Sequence, residues 1–344
     1  MKNKRSNYKK PRRSKYSYNK PKEEREFYTK ENIFVSRMAS ILLLPKSKIV
    51  PLFSQRTKTT IRFNPLREDV GKTRDSLIRS GYDLEQIPWE ENTYFVLNKD
   101  KNEVSQSRKY DEGKFYIQNL SSILATVLLE PKEGEKILDM CAAPGSKTTH
   151  IAALTNNRAE IIANDSEISR VNSLNRVVDQ FGVKNCKVTL SDGEDFGKKY
   201  PVSFDKVLLD APCSGEGMIY MRGPKPLRFW GIQKINRYSQ IQKRLIESAF
   251  LTLNHGGTMI YSTCTLEPEE NEGILTTLLN NHKNVEILNI DIINSNDFKE
   301  YKRHITSGIT HWSGNEYHPS VKRSIRILPS SEMMGFFVAK ILKK

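Results

Sequence analysis

Two of the four cysteines in this chain of 344 residues lie in polar segments directly behind apolar runs. Cys264 lies in YSTCTLEPEENE, between two threonines and ahead of a run of carboxylates, and Cys213 lies in LLDAPCSGEG. A cysteine at the end of a strand can be a small buried hydrophobe, or its thiolate can act as a nucleophile. The two polar contexts together favour chemistry over packing.

Methyl transfer to carbon 5 of cytosine is one reaction that needs such groups. This carbon is a poor nucleophile until a thiolate adds to carbon 6, and a base must later remove the proton on carbon 5 so that the thiol can leave. The reaction requires a nucleophilic cysteine, an acid near the ring nitrogen, a cation and a second group for release. The residues that could meet these needs at one sheet edge are Cys264, Asp210, Lys147 and Cys213.

The elements that must position these residues alternate between strand and helix from about residue 134. The apolar runs EKILDM, AEIIAND, CKVTLSD, FDKVLLDAP and GTMIYST each end in a polar or acidic residue, and helical segments such as SKTTHIAAL lie between them. This alternation predicts an α/β fold whose parallel sheet has helices on both faces. Ligands bind such sheets at the carboxyl ends of the strands, so the residues directly after each run form the candidate site.

The segment LDMCAAPGSKTTH follows the first of these strands. It has neither the glycine fingerprint of dinucleotide-binding folds nor the spacing of a phosphate loop. Pro144 and Gly145 predict a tight turn into a helix, where a ligand can approach the backbone closely. Asp165 ends the second strand, where an acid commonly binds ribose hydroxyls, and Asp192 ends the third, where it could receive an adenine amino group. An adenosyl ligand without a diphosphate fits this set better than NAD.

The first part of the chain is predicted to contain a tail and a small domain. Residues 1–22 carry seven lysines, three arginines and no acid, with almost no aliphatic side chains. Residues 1–27 are therefore predicted to be a basic disordered tail, which either solubilises the protein or captures RNA through its cations and tyrosines. Residues 28–115 are predicted to form a small α+β domain that binds RNA, and residues 116–344 the domain with the parallel sheet.

Composition narrows the classes of protein to which this chain can belong. No apolar run approaches the ~20 residues that span a bilayer, and the N-terminus has no apolar stretch that could act as a signal peptide. The four cysteines lie far apart, without a Cys-x-x-Cys or paired histidines, which argues against a zinc site and a structural disulfide. We therefore expect a cytoplasmic protein without a metal ion, and a monomer.

Three segments carry a resemblance to a known family. DMCAAPGSKTTHIA, FDKVLLDAPCSGEGM and YSTCTLEPEENE resemble the Sun (Fmu/RsmB-like) family of S-adenosylmethionine-dependent RNA 5-methylcytosine methyltransferases. The resemblance runs from about residue 34 to the end of the chain, and the bacterial 16S ribosomal RNA and archaeal transfer RNA branches are the most similar. It implies a Rossmann-like class I methyltransferase fold, S-adenosyl-L-methionine as the cofactor and RNA as the partner.

The roles of the family's residues transfer position by position. The resemblance implies that Cys264 is the nucleophile, that Cys213 assists release, and that Asp210 and Lys147 face the target base. It also implies these cofactor-binding residues: Cys141, Ala142, Ala143, Pro144, Gly145, Ser146, Lys147, Asp165, Asp192 and Asp210. Related DNA enzymes attack with the cysteine after the fourth strand, so the division of labour between the thiols rests on the family and not on spacing.

Two alternatives stay open. A catalytically idle RNA-binding or ribosome-assembly protein on the same fold is the alternative from another class, although such a copy would be expected to have lost a cysteine or the Asp-Ala-Pro. An enzyme acting on exocyclic amines would instead carry Asn-Pro-Pro-Tyr where this chain has DAPC. The second open point is the RNA, ribosomal or transfer, because Ser-Ser follows RILP where the ribosomal branch is expected to have a histidine-containing stretch.

Overall fold

The structure, a computed structural model, describes residues 29–344, so the tail predicted for residues 1–27 lies outside the described residues. The chain begins there with two helices, α1 (Lys30–Leu42) and α2 (Lys46–Leu52). Phe34 of α1 packs edge-on against Trp230, with ring centroids 5.3 Å apart, and the Lys30 ammonium donates to the Trp230 carbonyl at 3.1 Å. These helices therefore pack against the C-terminal part of the molecule.

A small antiparallel sheet follows, with strand order β2-β3-β1-β4. Its elements are β1 (Thr59–Phe63), α3 (Val70–Arg79), β2 (Leu84–Gln86), β3 (Thr93–Val96), α4 (Lys101–Ser105), α5 (Arg108–Asp111) and β4 (Phe115–Ile117). Ile61, Phe63 and Phe115 of the sheet pack with Leu77 of α3 in one core. The sheet continues through Ile117, two residues beyond the end predicted for the small domain.

The predicted parallel sheet is confirmed, with adjacent strands in the order β7-β6-β5-β8-β9. The strands are β5 (Lys136–Asp139), β6 (Glu160–Asp165), β7 (Cys186–Leu190), β8 (Phe204–Asp210) and β9 (Leu253–Thr263). The helices around them are α6 (Leu120–Leu129), α7 (Ser146–Leu154), α8 (Ile168–Gln180), α9 (Phe196–Lys199), α10 (Ile232–Thr252) and α11 (Glu272–Asn281).

Helices cover both faces of this sheet because successive side chains of a strand point to opposite sides. Ile137 of β5 packs in one core with Ile151 of α7. Its neighbour Leu138 packs in the other core with Leu245 of α10. The central strands β5, β6 and β8 are rich in apolar residues for this reason, whereas the edge strand β7 is only partly buried.

Antiparallel strands that the sequence patterns did not predict extend the sheet beyond β9. β15 (Phe336–Lys343) pairs with β9 from Thr258 to Thr263, and both β14 (Ile325–Ile327) and β10 (Val285–Leu288) pair with β15. The remaining strands are β11 (Ile305–Ser307), which pairs with β14, and the hairpin of β12 (His311–Trp312) and β13 (Asn315–Glu316). Within residues 29–344, no helix is both long and apolar enough to cross a membrane.

Candidate active site

The carboxyl ends of β5 to β9 open into a cavity of about 440 Å³. This volume lies within the roughly 300–1,000 Å³ of small-molecule sites. Residues that follow all five strands line the cavity, together with side chains of α10. The predicted site residues in its wall are Cys141, Ala143, Asp165, Asp192, Asp210, Cys213 and Cys264.

The turn after β5 contains the rest of the predicted cofactor loop. Gly145 precedes α7 with φ of +110°, and a Cβ there would lie 2.9 Å from Leu174 and 3.0 Å from Val177 of α8. Glycine therefore lets the turn pack closely against α8. Five residues of the predicted cofactor loop are not among the described residues that line the cavity: Ala142, Pro144, Gly145, Ser146 and Lys147.

Asp165 is held by an arginine that sequence reasoning missed. Arg170 Nε donates to both carboxylate oxygens of Asp165, at 3.1 and 3.0 Å, and Arg170 also donates to the carbonyl of Ala143 at 2.8 Å. The guanidinium thus ties the acid after β6 to the turn after β5. Its position in the first turn of the helix behind that acid was the available signal.

Two further acids lie at this edge. Asp192 is exposed at the rim, where its carboxylate accepts from the backbone N–H of Glu194 at 3.0 Å. Asp139, which sequence reasoning also missed, ends β5 and is buried below the turn, where it accepts from the Thr148 hydroxyl at 2.7 Å. Its other oxygen has no hydrogen-bond partner among the described residues, and burial raises the pKa of Asp139 to about 7.

Cys213 and Cys264 lie side by side, with their sulfur atoms 3.0 Å apart. This separation exceeds the ~2.05 Å of a disulfide bond, so both are free thiols in hydrogen-bond contact. The hydrogen bond to Cys264 raises the pKa of Cys213 well above its ordinary value, and burial and the charges of nearby carboxyls act in the same direction. Cys213 therefore keeps its proton, and either sulfur can be the donor in this contact.

Strand register explains how the two thiol loops meet. Asp210 of β8 pairs with Ser262 of β9 in the parallel ladder, so the DAPC and STC segments leave the sheet side by side. The Ser262 hydroxyl donates to one oxygen of Asp210 at 2.7 Å, and the Lys147 ammonium donates to the other at 2.6 Å. Lys147 is only 8% exposed. The sheet edge thus brings together all four residues that were predicted to be catalytic.

Three buried glutamates lie directly behind the thiols: Glu216, Glu267 and Glu270. The Ser214 hydroxyl lies within hydrogen-bond distance of both Glu270 and, at 2.7 Å, Glu216, and the Ser214 backbone N–H donates to Glu270 at 3.0 Å. Gln242 of α10 donates to Glu270 at 2.9 Å. Burial and the charge of Glu216 raise the pKa of Glu270 to about 8, so it holds a proton at neutral pH.

Cations from distant segments anchor the residues after Cys264. Arg37 of α1 donates to Glu267 at 2.6 Å and to Glu269 at 2.6 Å. Arg326 of β14 donates to Glu272 at 2.6 and 2.5 Å, and both side chains are buried. The acidic run behind Cys264 is therefore a packed structural element. Among residues 29–344, no cluster of His, Cys, Asp or Glu is arranged to hold a metal ion.

A sheet of this order, with a cofactor-type turn and acids along its carboxyl edge, defines a Rossmann-like methyltransferase. A methyltransferase homologue from Pyrococcus horikoshii superposes with a TM-score of 0.77 at 29% identity, over 93% of this chain and 97% of that one. NSun6 from Pyrococcus horikoshii, solved with SFG, superposes with a TM-score of 0.69 at 26% identity, over 94% of this chain and 98% of that one.

The chain belongs to the 16S rRNA methyltransferase RsmB/F family, whose model matches residues 126–342. This confirms the resemblance inferred from the sequence. The tRNA (cytosine(49)-C(5))-methyltransferase of Pyrococcus abyssi is 38% identical over 288 residues, which are 83% of this chain and 88% of that protein. Ribosomal RNA small subunit methyltransferase F of a Shewanella species is 39% identical over 64% of this chain, a match that spans only 46% of that protein.

Proposed function

We propose that this chain is an S-adenosyl-L-methionine-dependent RNA (cytosine-5)-methyltransferase that works through a covalent adduct on Cys264. The observation that carries the proposal is the 3.0 Å contact between the Cys213 and Cys264 sulfur atoms in the wall of the cavity that also contains the cofactor turn. The two relatives described above act, by their names, on tRNA and on ribosomal RNA. RNA of either kind is therefore the substrate class.

The residues around the cavity suit an adenosyl cofactor. Asp165 would accept from the ribose hydroxyls and Asp192 from the adenine amino group, while the turn from Cys141 to Lys147 borders the remaining part. When bound, S-adenosyl-L-methionine supplies an electrophilic methyl group on a sulfonium. Two acids and a cavity of about 440 Å³ fit such a cationic nucleoside better than a dinucleotide with its diphosphate.

Four side chains act on the base, of which Cys264, Asp210 and Lys147 serve the attack and the methyl transfer. The Cys264 thiolate adds to carbon 6 of the cytosine, which makes carbon 5 nucleophilic enough to take the methyl group. Asp210 faces the ring nitrogen, and Lys147, 2.6 Å from its carboxylate, orients it and balances its charge. Catalysis by an acid placed in this way typically contributes about 10²–10⁴ in rate.

Cys213 is suited to the release step because the hydrogen bond with Cys264, which raises its pKa, is lost at that stage. Cys264 is the first cause of the raised pKa of Cys213. Once the Cys264 sulfur is bonded to carbon 6, it can no longer be an anion, so Cys213 becomes easier to ionise. Cys213 then loses its proton to solvent, and its thiolate removes the proton from carbon 5. The double bond between carbons 5 and 6 re-forms as the bond from carbon 6 to the Cys264 sulfur breaks, which releases Cys264 as a thiolate. The same geometry thus keeps Cys213 neutral before attack and frees it afterwards.

The remaining assignments follow from this chemistry. Residues 28–115 would hold RNA beside the site, residues 116–344 would carry the cofactor and the thiols, and the basic residues of 1–27 would add electrostatic attraction. Two free thiols in contact require a reducing compartment, which favours the cytoplasm. An idle RNA-binding protein has no need for Cys264, Cys213, Asp210 and Lys147 to converge, so the site favours the enzyme.

The proposal is tested first by cofactor binding. Calorimetry should detect S-adenosylhomocysteine binding, and Asp165→Ala should weaken it by about 1–3 kcal/mol through the lost charged hydrogen bond. Asp179→Ala, on the exposed face of α8, is the matched control and should bind like the unchanged chain. Tight binding of NAD without binding of S-adenosylhomocysteine would rule the proposal out.

The second test identifies the reaction and its RNA. Bisulfite sequencing of RNA from cells with and without the gene should reveal a cytosine that is methylated only when the gene is present. The same RNA from the deletion strain should accept labelled methyl groups from S-adenosyl-L-methionine in the presence of the purified protein. Absence of any such cytosine in both ribosomal and transfer RNA would favour the idle alternative.

A further inference from the structure

A second cavity, of about 320 Å³, lies directly beside the catalytic one. It is formed between the segment after α2, the start of α4, the segment after Cys213 and the segment before β15. Met218 lines both cavities, and its side chain is 58% exposed. The two cavities therefore share one wall, made by an unbranched apolar side chain.

The lining of this second cavity combines apolar side chains with two cations. Arg56 and Lys101 are exposed, and neither forms an ion pair within residues 29–344. The one lining acid, Asp100, is engaged at the start of α4, where its carboxylate accepts from the backbone N–H groups of Asn102 at 2.8 Å and Glu103 at 3.0 Å. The lining therefore carries one net positive charge, which favours an anion.

An aromatic ring lies beside this charge. The Arg56 guanidinium carbon stands 5.4 Å from the ring centroid of Tyr220. Arginine and tyrosine side chains together provide flat surfaces on which a base can stack and a cation that can bind a phosphate. The chain continues past Tyr220 into a segment with three more exposed cations: Arg222, Lys225 and Arg228.

We propose that this cavity binds the nucleotide next to the target cytosine in the RNA strand. The inference rests on the function proposed above. A cytosine that reaches Cys264 has left its stack, so the neighbouring nucleotide needs a surface of its own. Its phosphate contacts Arg56 and Lys101, and its base lies against Tyr220. Met218 stands between the two bases, as apolar wedges do between unstacked bases.

Backbone contacts fix the position of the second cavity relative to the thiols. The Gly217 backbone N–H donates to the carbonyl of Cys264 at 2.9 Å, and the backbone of Met221 donates to the carbonyl of Phe53 at 2.8 Å. A Cβ on Gly217 would lie 1.8 Å from the carbonyl oxygen of Gly335, so only glycine permits this close approach. The segment from Gly217 to Met221 thus connects the residue that is the proposed nucleophile to the end of α2 along the second cavity.

Binding of fluorescein-labelled oligocytidylate to the full chain tests this site. Tyr220→Ala should weaken binding about tenfold through lost stacking. Arg56→Ala should weaken it and lower the dependence of affinity on salt by about one ion. The matched control is Arg158→Ala, which removes an exposed cation at the opposite edge of the sheet, where it pairs with Glu133 at 2.7 Å. This control should bind like the unchanged chain, and all variants should keep their affinity for S-adenosylhomocysteine.

Three results would overturn the inference. They are unchanged RNA binding in both Arg56→Ala and Tyr220→Ala, an equal loss in Arg158→Ala, and no binding of the oligonucleotide by the unchanged chain. The measurement does not depend on methyl transfer, so it separates this inference from the proposed reaction. Loss of RNA binding in the two variants would support the nucleotide site even if no methylated cytosine were found.

Discussion

The two halves of the site are built differently. The cofactor half, formed by Cys141–Lys147, Asp165 and Asp192 after β5 to β7, has Asp192 exposed at its rim and Asp165 paired with a half-exposed arginine. The thiol half, formed by Asp210–Cys213 and Ser262–Cys264 after β8 and β9, is backed by fully buried glutamates. The cofactor half thus has an exposed rim above two buried acids, Asp139 and Asp165, whereas the thiol half is packed from behind by three buried glutamates.

The proposed function accounts for this difference. A cofactor that enters and leaves in every cycle needs an accessible rim, whereas two thiols and an ion pair must hold their geometry to within about 0.5 Å. Buried carboxyls are costly, and they persist only when hydrogen bonds and cations compensate for lost hydration. Ser214, Gln242, Arg37 and Arg326 provide that compensation. The buried carboxyls of the thiol half thus lower the stability of the fold, while their contacts hold the thiols and the ion pair in place.

Among changes that keep both thiols, the largest expected effect is at Asp210, in the thiol half. Asp210→Asn keeps the shape of the side chain but removes the charge that pairs with Lys147 at 2.6 Å. We expect the rate constant of methyl transfer to fall about 10²–10⁴-fold, as for the loss of a placed acid. The measurement is single-turnover transfer of labelled methyl groups at saturating RNA.

Asp179→Asn is the control for this change, because its carboxylate lies on the exposed face of α8 and forms no hydrogen bond or ion pair with residues 29–344. It should retain full activity. If Asp210→Asn also retained its activity, with normal cofactor binding, the thiol half would not contain the acid that the reaction requires.

The second effect concerns stability and pH. Because burial raises the pKa of Glu270 to about 8, from about 4.5 in the unfolded chain, folding favours its protonated form. Its contribution is full below about pH 4.5 and is lost as the pH rises through 8, with a slope on the order of 1 kcal/mol per pH unit. Glu270→Gln cannot ionise, so its free energy of unfolding should fall less between pH 5 and pH 9 when measured by urea denaturation.

Glu194→Gln provides the comparison from the cofactor side. Glu194 is partly exposed and pairs with Arg244 at 2.6 Å near the rim. Its variant should show the same pH dependence as the unchanged chain. Equal slopes for Glu270→Gln and the unchanged chain would mean that the carboxyls behind the thiols are not proton-bearing, and the contrast between the halves would be lost.

The smallest effect on catalysis is expected outside both halves. Deleting residues 1–22 removes ten positive charges, so RNA affinity should fall and depend less steeply on salt. Methylation at saturating RNA should change little, because the deletion leaves the described site intact. Binding measured over a series of salt concentrations checks this, and an unchanged slope would mean that the tail only solubilises the protein.

Local patterns predicted the five parallel strands and the residues at their ends, because each run and its polar end are contiguous in sequence. Placing Cys213 beside Cys264 followed from two adjacent strands that end at the same edge. The buried state of Glu216, Glu267 and Glu270 could not be predicted in this way. EPEENE has the composition of a solvated segment, and its burial depends on Arg37 and Gln242, which are distant in sequence.

Contacts between residues distant in sequence also explain the other features that local patterns did not predict. β15 pairs with β9 across more than seventy residues, and no local signal marks that pairing. The packing of α1 on Trp230 is similarly long-range, so a boundary drawn from composition could not show it. Arg170 and Asp139 did have local signals, since each lies within a few residues of a predicted site residue. They were missed because charge alone does not indicate which side chains contact one another.

The most direct test of the account is a denaturing gel of protein incubated with cytosine-containing RNA and S-adenosyl-L-methionine. Cys264→Ala should form no covalent band and transfer no methyl group. Cys213→Ala should attack and transfer the methyl group but fail to release, so a methylated protein–RNA band should accumulate. Cys186 lies at the start of β7, away from the carboxyl edge of the sheet, so Cys186→Ala is the control and should turn over normally. A band from Cys264→Ala and none from Cys213→Ala would reverse the roles, and full activity in both without a band would contradict the thiol mechanism.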